Sequence, residues 1–272
     1  MAEIEEKDGR LTITFRGEGP VPDEDCAALV GRIARDAPRR VQLVCDFASP
    51  GGTWTRALVG HSLPSLRAFI FDTFFQTLTR QRENSIGDLA AVLAASPELE
   101  RVFAAGALEL TPCTHASLRQ LHALGDPISE SFLHALAKCE LPQLERLVLQ
   151  LSSDAEPGRM DAVTLLSLSA PRLREIYVGG LGDVTSALEA LAKKGIPKGW
   201  KELALVGDLD EDELLETLEK HRSAFGSLDV LALPLEDLMS TDGQETAKGL
   251  AKCVQDSEGL SEKTLPAIYA DW

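Results

Sequence analysis

Cysteine is sparse in this chain and never paired along it. Cys26, Cys45, Cys113, Cys139 and Cys253 are scattered, odd in number and nowhere spaced as CxxC. That pattern excludes a disulfide framework and a paired-cysteine metal motif. The five read as reduced and buried or incidental, in a cytoplasmic protein. Long apolar runs are also missing, and none approaches the roughly 18 residues a membrane-spanning helix needs. The opening MAEIEEKDGR has neither a basic start nor an apolar core, so it does not read as a secretory signal. Basic residues are outnumbered, 27 against 43 acidic, for a net charge of −16. From residue 200 onward 17 acidic residues face 6 basic ones, a balance of −11. Such a field disfavours nucleic acid and anionic membrane and steers a basic partner. It also serves solubility.

Catalytic signatures are missing too. There is no GxSxG elbow and no GxxxxGK[ST] phosphate loop. The glycine cluster GGLGD (179–183) reads as a loop. Cys113 and His115 lie two apart with no second pair beside them, so no zinc site is assigned. DLDEDE (208–213) lacks the glycine and the closing glutamate of a calcium loop. It reads as a helix start, where carboxylates favour the positive end of the dipole. The histidines, at 61, 115, 122, 134 and 221, have no carboxylate or cysteine paired with them in sequence. The expectation is a non-enzyme without metal or cofactor.

What the chain does have is a spacing. In LPQLERLVLQL (141–151), leucines stand at 144, 147 and 149. The same apolar 1-4-6 triplet recurs as Leu66/Phe69/Phe71, Leu99/Val102/Ala104, Leu118/Leu121/Ala123, Leu173/Ile176/Val178, Trp200/Leu203/Leu205 and Leu228/Leu231/Leu233. A degenerate first copy reads Arg40/Leu43/Cys45. A proline often lies two residues earlier, at 38, 64, 97, 142 and 171. Positions 4 and 6 share one face of a short strand, because side chains alternate. Position 1 packs where the chain turns into that strand. One such unit cannot bury its apolar side alone, so units must stack.

Helical patterns fill the intervals. Asn84 precedes Ile86, Leu89, Ala90 and Leu93. Asp126-Pro127 reads as a cap before Phe132, Leu133 and Leu136. Asp161 opens a shorter helix with Val163, Leu165 and Leu166. Asp183 and Asp210 are further caps, the latter with Glu213 at its third position. Strand, loop, helix and loop repeated in this way require parallel strands. From Leu99 to Leu118 there is no room for a full helix.

This resembles the leucine-rich repeat family, in its helix-bearing, ribonuclease-inhibitor-like variety, across roughly residues 38–235. LERLVLQLSSDAEPG and LREIYVGGLGDV look like bacterial members. The resemblance implies an α/β solenoid with a curved parallel sheet inside and helices outside. The family's asparagine, three residues after the last leucine, is replaced here by Phe74, Ala107, Asp126, Ser152, Leu181, Asp208 and Glu236. Irregular turns are therefore expected.

Residues 1–37 read as an N-terminal cap continuous with the repeats. LTITF (11–15) is a strand, a helix from Pro22 turns Cys26, Leu29, Val30 and Ile33 to one side, and Val41–Cys45 is the next strand. This βαβ unit also resembles, faintly, the opening of a STAS domain. That likeness offers a second function, a regulator in a phosphorylation or anti-sigma-factor circuit, with Ser49 as the nearby acceptor. Residues 236–272 read as a C-terminal cap or tail, with one more helix in GQETAKGLAKCV and with Tyr269 or Trp272 docked on the last repeat. A tail enzyme built on Cys253 is discounted, because so short a segment makes no separate catalytic domain.

Positions 3, 5 and 7 of each unit face away from the core. Position 5 reads Val44, Ile70, Phe103, His122, Val148, Tyr177, Ala204 and Ala232, and position 3 includes Arg101 and Arg146. An apolar row with a polar border has the make-up of an interface. The expected partner-binding surface is therefore Val44, Ile70, Arg101, Phe103, His122, Arg146, Val148 and Tyr177, open on a concave wall. The expected partner is a protein, partly basic, and neither nucleic acid nor membrane. Phe74 and Phe75 offer an internal cover for the same wall.

Overall fold

The computed structural model describes residues 2–15, 22–45, 53–72, 85–124, 128–150 and 162–257. Two units emerge, Met1–Gln150 with Leu168–Pro171, and Leu151–Ser167 with Arg172–Trp272.

The first unit opens with a hairpin that the sequence reading did not foresee. Strands β1 (Ala2–Lys7) and β2 (Arg10–Phe15) pair antiparallel. Asp8 and Gly9 join them with φ of 51° and 73°, the two-residue turn that matches strand twist. Along β2, Leu11, Ile13 and Phe15 are buried. Helix α1 (Asp23–Asp36) starts at Pro22, carries Asp23, Glu24 and Asp25 in its first turn, and buries Cys26, Leu29, Val30 and Ile33. Strand β3 (Arg40–Cys45) then runs parallel to β2. The expected β-α-β start is present.

There follow α2 (Thr53–Leu58), β4 (Ala68–Asp72), β5 (Ser85–Asp88), α3 (Leu89–Ala95), β6 (Arg101–Ala105), β7 (Ala107–Glu109), β8 (Gln120–Leu124), α4 (Glu130–Leu136) and β9 (Arg146–Gln150). The sheet order is β1-β2-β3-β4-β6-β8-β9, parallel after the first hairpin, with β5 and β7 paired separately. Two helix starts differ from expectation. Residues 85–88 form a strand, Gly87 has φ 74°, and α3 is capped by Asp88, whose carboxylate accepts the Ala90 N–H. The α4 cap is Ser129, which accepts the Phe132 N–H at 3.2 Å. Asn84, Asp126 and Pro127 lie outside the described residues.

Strands of this unit are entered through one recurring turn. The N–H groups of Leu66, Leu99 and Leu144 donate to the carbonyls of Leu63, Ser96 and Leu141, at 3.1, 3.0 and 3.0 Å. Pro64, Pro97 and Pro142 hold the second place of the turn, where a fixed φ fits. At Leu118 the acceptor is instead the His115 imidazole, with Nδ1 at 3.0 Å. The other ring nitrogen, Nε2, lies 3.0 Å from the Ser96 carbonyl oxygen. An amide only donates and a carbonyl only accepts, so the partners assign the proton to Nε2.

Hydrogen bonds between strands repeat in the same phase. The Arg39 carbonyl accepts both Arg67 and Ala68 N–H groups. The Arg67 carbonyl accepts Glu100 and Arg101, that of Glu100 accepts Arg119 and Gln120, and that of Arg119 accepts Glu145 and Arg146. The accepting residue is always one past the leader of its triplet. The first copy is therefore led by Pro38, and the reading that began it at Arg40 is two residues late. Single bridges tie Thr114 to Glu140 and Glu140 to Ser169, each four residues before its leader.

Positions 4 and 6 build the core. Phe69, Phe71, Val102, Ala104, Leu121, Ala123, Leu147 and Leu149 are all buried, each larger side chain contributing about 1.5–3 kcal/mol. Val30 and Ile33 of α1, Leu58 of α2 and Val92 of α3 meet Leu43 and Phe69 around one small apolar cavity.

In the second unit a 3₁₀ turn (Ala162–Ser167) precedes β10 (Glu175–Leu181), α5 (Val184–Lys194), β11 (Glu202–Gly207) and α6 (Glu211–Lys220). A second 3₁₀ turn (Arg222–Ser227), β12 (Val230–Leu233), α7 (Leu235–Leu238), α8 (Thr241–Leu250) and β13 (Val254–Asp256) complete it. Strands β10 to β13 pair in sequence order, all parallel. Asp183 accepts the Ser186 N–H at 2.8 Å and Asp210 the Glu213 N–H at 3.0 Å, both caps as expected. The shared carbonyls return at Arg174, to Lys201 and Glu202, and at Lys201, to Asp229 and Val230. Leu181, standing where the repeat family has asparagine, lies at a register shift in the β10–β11 pairing. Beside it is Gly207, where an added Cβ would overlap the Leu181 backbone. The last strand, β13, was not expected. Its Asp256 carboxylate accepts the Leu235 and Glu236 N–H groups that open α7, at 2.9 and 3.0 Å. Tyr269 and Trp272 lie outside the described residues.

Candidate functional site

The register decides which side chains stand together on the face away from α1–α3. In the first unit the row runs Gln42, Ile70, Phe103, His122, Val148 across β3, β4, β6, β8 and β9. Four expected members are present and in line. Val44 is not among them, because it pairs with Asp72, two residues further along the strands. Gln42 takes its place, a polar side chain that is nevertheless buried. The two-residue slip in the degenerate first triplet hid it, and Pro38 favoured that slip, because two residues before Arg40 it imitates the prolines that precede the leaders of other copies. The neighbouring row is Ala68, Arg101, Gln120, Arg146, as read from position 3. Tyr177 belongs to the second unit, where it aligns with Ala204, Ala232 and Gln255.

Exposure departs from expectation. Ile70 is 4% exposed, Phe103 0%, His122 1% and Val148 2%. This wall is not open to solvent, and the reading of the row as an exposed surface is corrected. The physical reason lies in the strands themselves. VFAA, LHAL and LVL are near-continuous apolar runs, the pattern of parallel strands covered on both faces. Val44, Arg101, Arg146 and Tyr177 are half-buried. Phe74 and Phe75, read as an internal cover, lie outside the described residues.

Within the row, the Phe103 and His122 rings are 6.5 Å apart, tilted by 45°. Burial, helped by the Arg146 charge on the next strand, lowers the His122 pKa to about 3, so the imidazole is neutral at physiological pH. Burial raises the Tyr177 hydroxyl pKa. Along the edge where the strands begin, charges alternate. Arg119 bonds Glu145 at 2.8 Å, and Arg67 lies 3.2 Å from Glu98 and 3.9 Å from Glu100.

Other residues considered for chemistry have structural partners. Both ring nitrogens of His115 meet backbone groups. Cys253 donates to the Phe225 carbonyl at 3.7 Å, and burial raises its pKa, opposite to the shift that activates a nucleophile. Among the described residues no three His, Cys, Asp or Glu side chains stand close enough to share a metal ion. No described helix is long and apolar enough to cross a membrane. Ser49 lies outside the described residues.

No protein-family model matches the chain, and no curated protein matches it in sequence. The fold has a solved counterpart. A Bacteroides fragilis protein determined by the Northeast Structural Genomics Consortium superposes with a TM-score of 0.61 at 15% identity, covering 88% of this chain and 72% of its own. At that identity the likeness concerns fold alone.

Proposed function

We propose that this chain is a non-enzymatic binding protein of leucine-rich repeat type, which engages a partner protein on the sheet face that carries positions 3 and 5. The observation that supports the reading is the phase of the repeat. The same entry turn, the same shared carbonyl and the same in-line apolar row recur from unit to unit, as in arrays that present one broad surface. The polar border of Arg101, Gln120 and Arg146, half-buried as a row, is what a partner meets first. Phe103, His122 and Val148 come into reach only when what covers them is displaced. The acidic balance after residue 200 favours a partner with basic character.

The test is a pull-down comparing wild type with the Arg101→Glu/Arg146→Glu double variant, followed by reconstitution with the purified captured protein. The expected result is loss of that complex with the unfolding midpoint preserved. Equal binding by both proteins refutes this surface. Phe103→Asp is unsuitable, because an unpaired carboxylate at a fully buried site unfolds the strand around it.

A further inference from the structure

Cys113 and Cys139 are 26 residues apart in sequence and adjacent in space. Each stands five residues before the leader of its triplet, Leu118 or Leu144, so stacking brings them level. The backbone around them is already tied. The Glu140 N–H donates to the Cys113 carbonyl at 2.9 Å, the His115 N–H donates to the Glu140 carbonyl at 3.0 Å, and Thr114 bridges Glu140. The two sulfurs are 3.8 Å apart, and the Cys113 N–H points at the Cys139 Sγ at 3.4 Å. Cys139 is buried and Cys113 half-buried, so an oxidant has a way in at one sulfur.

We propose that Cys113 and Cys139 form an oxidation site, a dithiol that a hydroperoxide converts to a disulfide between consecutive repeats. Neighbouring parallel strands lie about 4.8 Å apart, inside the Cα separation a disulfide accepts, roughly 4.4–6.8 Å. Closing the sulfurs to about 2 Å is therefore a matter of side-chain rotation. Cys139 gives up its contact with the Ala135 carbonyl, 3.4 Å away, in doing so. The chemistry is balanced by the peroxide. One sulfur, as thiolate, attacks the peroxide; an S–O bond forms, the O–O bond breaks, and the leaving hydroxide takes a proton to become water. The second sulfur then attacks the sulfenic sulfur; the S–S bond forms, the S–O bond breaks, and a second water leaves. The two sulfurs lose two electrons and hydrogen peroxide gains them. Proximity also makes the first proton easier to remove. The Cys113 thiol bonded to Cys139 lowers the Cys139 pKa to about 7, while that of Cys113 rises. Cys26 is the internal contrast, a buried thiol beside Asp23 and Asp25 with its pKa raised to about 12.

The experiment treats the native reduced protein with hydrogen peroxide, blocks remaining thiols in denaturant, and maps the peptides without reduction. The expected result is a fall from five titratable thiols to three, a mass loss of two hydrogens, and one dithiothreitol-reversible link between the Cys113 and Cys139 peptides. Cys113→Ser abolishes the link, and Cys113→Ala repeats that test if the serine variant folds poorly. Five thiols after treatment, a link to any other cysteine, or a link formed only in denaturant overturns the proposal.

Discussion

Lowering the pH from 7.5 to 5.0 tests the burial of His122 directly. In the unfolded chain this imidazole takes a proton near pH 6.5. In the fold its pKa is about 3, because the ring is cut off from water and the Arg146 guanidinium stands nearby. The folded value is depressed, so the neutral form is the one the fold favours. Stability from this group is therefore fully present above pH 6.5 and is lost as the pH falls toward 3. At pH 5.0 the unfolded state has gained almost a whole proton that the folded state has not, and the linkage integral comes to about 2 kcal/mol. Carboxylates whose pKa is lowered in the fold, such as Asp88, lose their contribution mainly at more acid pH. The assay is hydrogen exchange of amides in β6, β8 and β9 at both pH values, in wild type and in His122→Leu. Wild type should lose about 2 kcal/mol of protection free energy and the variant far less. The imidazole proton resonances of His122, assigned by their absence from His122→Leu, should not titrate between pH 5 and 8. A midpoint near 6.5, or equal losses in both proteins, would falsify the claim that this row is shut from solvent.

Ala37 ends α1 with φ 49°, a conformation that strains a residue with a Cβ. Ala37→Gly should therefore stabilise the first unit by about 0.5–1 kcal/mol, the relief exceeding the added chain entropy. A lowered urea midpoint contradicts the assignment. Gly207→Ala forces a Cβ into the Leu181 backbone and should destabilise the second unit by about 1–3 kcal/mol, read as faster exchange in β10 and β11. Unchanged exchange there shows that the two strands do not approach so closely.

Much of the architecture was legible because leucines at 1-4-6 spacing have one good use, a turn into a buried strand, and because Asp183 and Asp210 cap helices by chemistry local to the sequence. Elements that depend on partners distant in sequence were not legible. Strand β1 needs β2, and β13 needs the edge of β12. Residues 85–88 look helical by their apolar spacing but pair with β7 around Gly87. The row on the second face was correctly lined up from β4 to β9, since register follows from the repeat. Its exposure was misjudged, because alternation fixes which side a residue faces and says nothing about what lies over that side. His115 was weighed as a metal ligand when it is a stand-in for a peptide carbonyl, a role visible only once Ser96 and Leu118 are placed beside it.

The carbonyls that each serve two amides make the chain modular in a literal sense. The Glu100 carbonyl holds Arg119 and Gln120, and the Arg119 carbonyl holds Glu145 and Arg146 in the same manner. Excising residues 119–144 would deliver Glu145 and Arg146 to Glu100 with the pattern unbroken, whereas removing one residue more or fewer at this strand entry would offer the wrong amides to that carbonyl and turn the side chains of that strand to the wrong side. Between strand entries the length is free, since the leaders Leu66, Leu99, Leu118 and Leu144 stand 33, 19 and 26 residues apart; at the entries themselves it is fixed to the residue.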